Sequence, residues 1–203
     1  MDWSGYKLYE PGITGPVKML PRAEAKQVFD QCMAQKAARL DMLCLLLKQN
    51  EIRVARTNPA LQHLNDWFVA NVTPDPDNPG SLTPAWYSLV HDVALVLGDV
   101  VLERCPGLRW EFYTRGKKDV SFQRHVIVGF TQIANPKYHL DVYHRVSIYA
   151  HYIVAARGSV AHYGKVNVRG VEIDVDAAVA RQPARKIVPD AFLRWTMLAE
   201  SEA

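Results

Sequence analysis

The sequence predicts an α+β domain in which an antiparallel sheet is covered by helices and the N-terminal part is helical. Three observations carry that prediction: a long amphipathic segment after Thr83, a sharp stop at Cys105-Pro106-Gly107, and two extended segments directly behind it. Thr83 is placed to cap the first helical turn, and Pro84 takes the first helical position, where its missing N–H loses no bond. Trp86, Leu89, Val90, Val93, Ala94, Leu97, Val100 and Val101 then recur at steps of three and four, which lays a broad apolar stripe on one face. Proline cannot continue the helix, and glycine tolerates the turn that ends it. Leu108, Trp110 and Phe112 alternate with Arg109, Glu111 and Tyr113, the pattern of a strand with one buried face. Arg115-Gly116-Lys117-Lys118-Asp119 reads as a turn, and Val120 to Phe130 as a second strand, antiparallel to the first.

Residues 1–20 hold Pro11, Gly12, Gly15 and Pro16 among Trp3, Tyr6, Leu8 and Tyr9, so they read as an extended arm whose aromatic residues order it only by docking on the body. Behind the arm, Pro21 opens a helical run through Ala25, Val28, Phe29, Cys32 and Met33. A break near Lys36 then makes it a pair of helices, or one bent helix, with Leu40, Leu43, Cys44 and Leu47. Ile52 and Val54 form a short extended link. Asn58-Pro59 caps the next helix, which runs through Leu61, Leu64, Trp67 and Phe68. Past the strands, Asp141 caps a helix carrying Val142, Val146, Tyr149, Ala150 and Ile153, and Gly158 ends it. Val166 to Val175 alternates like a hairpin or edge strand, and Pro189 to Glu200 has helical propensity. The organisation expected is an arm over 1–20, a main domain over 21–158 and an extension over 159–203 packed on that same domain.

A chain of 203 residues supports one sizeable core. No apolar run was expected to reach the roughly 20 residues that cross a bilayer, and the Met1-Asp2-Trp3 start lacks a secretory pattern, so the expectation is a cytoplasmic protein without a membrane partner. The net charge of +3 is spread among acids, which argues against nucleic acid. The nearest approach to a basic patch is Arg109, Arg115, Lys117, Lys118 and Arg124 around the hairpin, which reads as a solvated turn. Cys32, Cys44 and Cys105 show no CxxC spacing and read as buried thiols.

No cofactor or catalytic motif is present: there is no GxSxG, no GxGxxG, no P-loop and no HExxH. His139, His144 and His151 crowd together, but without zinc spacing they read as surface or hydrogen-bonded histidines, so no metal is expected. His91 and Asp92 lie inside the long helix. Neighbours there point about 100° apart, which argues against their acting together as a base and its orienting carboxylate. One of them should face the strands and need a partner. The surplus polar and aromatic residues are Arg109, Glu111, Tyr113, Arg124 and His125 on the hairpin, with His91, Asp92 and Trp86 beside them. Arginine and large aromatics are what anchor interfaces and line pockets, so these eight are the candidate interface or pocket.

The run Tyr87 to Val100, followed by Arg109-Trp110-Glu111-Phe112 and Val126-Ile127-Val128-Gly129-Phe130, resembles a pattern of small uncharacterised bacterial cytosolic domains. In those, an LG-containing helix precedes a W-x-F strand and a second apolar strand. The resemblance covers about a quarter of the chain and carries no functional residue over. Some similar domains are immunity or accessory proteins beside secreted toxins. An empty catalytic inventory beside an aromatic, Arg-bearing hairpin predicts a non-catalytic module that binds another protein, an immunity or accessory protein if the resemblance holds, with a homo-oligomer left open. An enzyme with a loop-assembled polar site near the central hairpin is the first alternative. A small-ligand or nucleotide-binding domain is the second.

Overall fold

The structure, a computed structural model, describes residues 1–13, 15–53, 55–135, 137–157 and 187–197, together with the backbone of 165–168 and 171–174. Its first helix, α1, runs unbroken over Arg22–Gln49. The expected break near Lys36 is absent because no proline or glycine falls in the run, and because Lys36 is tied to Asp99 by a 2.5 Å ion pair. Helix α2 spans Asn58–Asn71 with Thr57, not Asn58, in the capping position. Helix α3, Pro84–Arg104, starts as expected, with the Thr83 hydroxyl accepting from the Trp86 amide. Its interior is buried on all sides, since α1, α4 and α5 all pack against it.

Strands β1, Arg109–Phe112, and β2, His125–Val128, pair antiparallel with Trp110 opposite Ile127 and Phe112 opposite His125. The second strand is shorter than Val120 to Phe130. Residues 120–124 turn instead, and Gln123 takes a left-handed φ of 64° while its side-chain amide donates to the carbonyls of Val17 and Leu20. That contact clamps the arm to the hairpin. Helix α4, Val142–Ala156, is capped by Asp141, whose Oδ1 accepts from the His144 amide at 2.8 Å. Strands β3, Lys165–Val168, and β4, Val171–Asp174, form a second antiparallel hairpin. Helix α5 covers Ala191–Met197. Val54, Gly158, Val175 and residues 198–200 lie outside the described residues.

Helix α3 is itself long and apolar enough to cross a bilayer, contrary to the expectation that no segment would be; 83 % of that stretch is buried inside the protein, where it serves as the central core element. Phe68 gathers the aromatic part of this core, with the rings of Phe192, Trp86 and Tyr149 at 5.3, 5.9 and 6.3 Å. The arm docks as its aromatic content requires: Trp3 meets the Trp86 ring edge-on at 5.4 Å, and Tyr6 and Tyr9 reach polar groups of α3.

Tyr149 links α4 to the chain entering α5 by donating to the Val188 carbonyl at 2.7 Å. Burial pushes its phenol up to about 12, from an ordinary value of 10.0. Tyr6 is likewise raised, by burial and then by the Asp92 charge. Between the unfolded and folded values the unfolded chain has released these protons and the folded chain has kept them. Folding stability is therefore expected to fall as pH rises above 10. Denaturant melts from pH 8.5 to about 11.5 check this, with tyrosinate absorbance as the second readout.

Candidate functional site

The buried residues of α1 include Ala25, Cys32, Arg39 and Leu46, spaced by sevens and therefore on one face two turns apart. This stripe faces α3 and sets a thiol and a guanidinium against His91 and Asp92. Asp92 has no exposed surface, and its carboxylate accepts from Arg39 Nε at 2.9 Å, Arg39 Nη2 at 2.5 Å and the Tyr6 hydroxyl at 2.6 Å. The remaining guanidinium nitrogen, Nη1, donates to the Lys7 carbonyl at 2.7 Å. One buried ion pair thus joins α1, α3 and the arm.

His91 and Asp92 are within hydrogen-bonding distance of each other, although their adjacency on the helix argued against such a contact. His91 Nδ1 lies 3.2 Å from Asp92 Oδ1, because both side chains bend toward α1, where Arg39 holds the carboxylate. The opposite ring nitrogen, Nε2, lies 3.4 Å from Cys32 Sγ. Tyr9 from the arm stacks flat on the imidazole, with centroids 3.7 Å apart and planes 7° from parallel. His125, from β2, presents its ring edge to His91 at 5.8 Å, and its Nε2 is buried without a hydrogen-bond partner. Cys32, His91 and His125 each offer a donor atom, and these atoms all fall within 4.8 Å of one another.

Electrostatics favour the neutral forms here. Burial, then the charges of His91 and Arg124, push the His125 imidazole down to about 3. Burial also lowers His91 against the pull of Asp92, and it pushes the Cys32 thiol up to about 11. Cys32, His91 and Asp92 are in contact in the order of a nucleophilic triad. A buried thiol whose pKa is raised is nevertheless not an activated nucleophile.

These groups form one wall of a cavity of about 460 Å³ under the arm. Pro11, Ile13, Pro16 and Val17 of the arm cover it. Val28 and Phe29 of α1, Tyr87 and Ser88 of α3, and Tyr143 of α4 complete its sides. Arg124 also lines the cavity. It forms an ion pair with the buried Asp141 carboxylate at 3.7 Å, and its guanidinium lies 5.7 Å from the Tyr143 ring centre. Among the described residues, the Arg124 guanidinium makes no hydrogen bond.

The eight candidates therefore divide. His91, His125 and Arg124 line the cavity, and Asp92 backs it. Trp86 is core, its indole N–H donating to Thr73 at 3.0 Å. Tyr113 is buried with Val126 and Val128 on the other face of the hairpin, and its ring lies 3.9 Å from that of His139. Glu111 pairs with Arg109 at 2.9 Å and with Arg115 at 3.0 Å, on the outer edge. The expected histidine group disperses: His139 joins Tyr113, while His151 faces Tyr87 across 6.0 Å. Of the thiols expected to be buried, Cys44 is exposed and Cys105 half-buried.

Sequence reasoning missed Cys32 and the cavity itself. The available signal was a cysteine and an arginine on the apolar stripe of one helix, beside a His-Asp pair in the all-apolar middle of another. No family model, curated protein or solved structure matches this chain.

Proposed function

We propose that this protein binds a small organic anion in the cavity beneath its arm. The observation that carries the reading is a cavity of about 460 Å³ with apolar and aromatic walls, lined by an arginine that ion-pairs with Asp141 at 3.7 Å and, among the described residues, makes no hydrogen bond. The volume lies within the roughly 300–1,000 Å³ typical of ligand pockets. Apolar and aromatic walls favour a hydrophobic body through burial, and Arg124 favours a carboxylate or phosphate group at its end. Tyr9, Pro11, Ile13, Pro16 and Val17 of the arm line one side of the cavity, and the Gln123 clamp fixes the arm there.

Binding to another protein through the hairpin, as an immunity or accessory module, is the competing reading. It rests on the outer edge of β1, where Glu111 pairs with Arg109 and Arg115 on an open face, whereas Arg124 and His125 line a cavity of ligand size.

A thermal-shift screen of aromatic and aliphatic carboxylates and phosphate esters tests the proposal. A ligand at 100 times its Kd stabilises the folded state by about 2.7 kcal/mol. Arg124→Ala is expected to weaken the best compound at least about tenfold, consistent with losing a charge-assisted hydrogen bond of ~1.5–3 kcal/mol. Val28→Trp, which fills the cavity, is expected to abolish the shift. A panel that gives no shift at millimolar concentration, or one that stabilises Val28→Trp equally, overturns the reading.

A further inference from the structure

The cavity wall carries an arrangement that ligand binding alone does not require. Cys32, His91 and His125 come from α1, α3 and β2, three elements held by separate parts of the core. Their donor atoms nonetheless converge within 4.8 Å. We propose that these three side chains bind one divalent transition metal, zinc above all, with the fourth coordination position open to the cavity.

The spacing suits zinc. Bonds of about 2.3 Å to sulfur and about 2.0–2.1 Å to nitrogen at tetrahedral angles put the two donors roughly 3.6 Å apart. Cys32 Sγ and His91 Nε2 are separated by 3.4 Å. The second nitrogen of His91 faces a carboxylate, as in most metal-bound histidines, where such a partner fixes the tautomer and the ring orientation. Asp92, paired with Arg39, can only accept, so the proton sits on Nδ1 and the Nε2 lone pair points toward Cys32. Tyr9 stacked on the ring prevents it from turning away.

A metal-free account leaves one of the three donors without a partner. A Cys32 S–H donating to His91 would satisfy that pair, but His125 would still carry a buried nitrogen without a partner. Such groups are costly and uncommon in folded proteins. One sulfur and two imidazole nitrogens make a borderline-soft donor set that selects zinc, copper or cobalt over magnesium and calcium. Coordination replaces the thiol proton, so each metal ion bound releases one proton to solvent. Three protein ligands and an open position describe a catalytic rather than a structural zinc site. The acid group of the ligand proposed above, or a water molecule, would take the fourth position. Only that last point rests on the ligand-binding reading.

The test is a cobalt(II) titration of the chelator-treated full chain. One equivalent is expected, with a thiolate-to-cobalt charge-transfer band and the visible bands of four-coordinate cobalt; zinc should displace it. The Cys44→Ser/Cys105→Ser double variant, which keeps only Cys32, should retain the charge-transfer band. Cys32→Ser should lose it, and His125→Ala should weaken binding at least about tenfold. If Cys32→Ser does not fold, the double variant still identifies the sulfur. A featureless cobalt spectrum, or a band lost in the double variant, overturns the proposal. The two readings fail separately: a cobalt site without any organic ligand removes the anion pocket, whereas an organic ligand without cobalt binding removes the metal.

Discussion

Arg39→Ala is expected to destabilise the protein by about 3–5 kcal/mol, the usual cost of leaving one member of a buried ion pair without its partner. Asp92 is fully enclosed, and Arg39 supplies two of its hydrogen bonds through a planar fork. The same guanidinium holds the arm through the Lys7 carbonyl and packs over the Tyr6 ring at 5.3 Å. The melting temperature should drop by about 10 °C or more for a chain of this size. The first residues of the chain should also become the earliest site of proteolysis. Arg39→Lys should recover little, because an ammonium cannot match both carboxylate oxygens and the carbonyl together. Replacing both partners, as Arg39→Met with Asp92→Leu, should recover much of the loss, since no uncompensated charge is then buried. Equilibrium denaturation of the single and double variants gives the coupling directly.

Gly98→Ala is the second large effect, and its sign opposes local propensity. In an isolated helix the change would stabilise by up to about 1 kcal/mol. In this fold the added methyl would stand 2.1 Å from Cζ2 and 2.5 Å from Cη2 of Trp110, so helix α3 and strand β1 cannot keep their approach. The indole would have to shift toward His125, whose ring lies 5.8 Å away. A loss at or above the ~1–3 kcal/mol typical of overpacking is expected. Tryptophan fluorescence and denaturant midpoints measure it. Adding Trp110→Leu should return part of the stability by opening the space.

The helix and strand pattern was legible where period and punctuation agree. Thr83-Pro84 at the start of α3, Cys105-Pro106-Gly107 at its end and Asp141 before α4 each act through local backbone chemistry, which a sequence displays. The unbroken α1 was legible in the absence of proline and glycine from residues 22–49, whereas the ion pair that ties Lys36 to Asp99 across 63 residues was not. The second strand was overextended because Val120 and Phe122 look strand-like, whereas the Gln123 backbone is committed to a left-handed turn that serves the arm.

The site was half legible. His91, Asp92, Arg124 and His125 stood out as polar residues in apolar surroundings. Cys32 did not, because a thiol on an apolar stripe is the ordinary place for one. What joins these residues is the packing of α1 across α3 and the return of the arm over both. Neither leaves a mark at fixed sequence spacing. Tyr113 misled for the converse reason: its strand alternation points outward, and the segment between β2 and α4 covers it with His139.

On the proposed function, ligand binds in the cavity beneath the arm and not at the outer edge of the hairpin. A crystal structure of the full chain with the compound that raises its melting temperature most is the direct measurement. The compound is expected between Phe29 and Tyr143, its anionic end hydrogen-bonded to Arg124. Density for it on the open groove beside Lys118 and Tyr138, with the cavity unfilled, would contradict the claim.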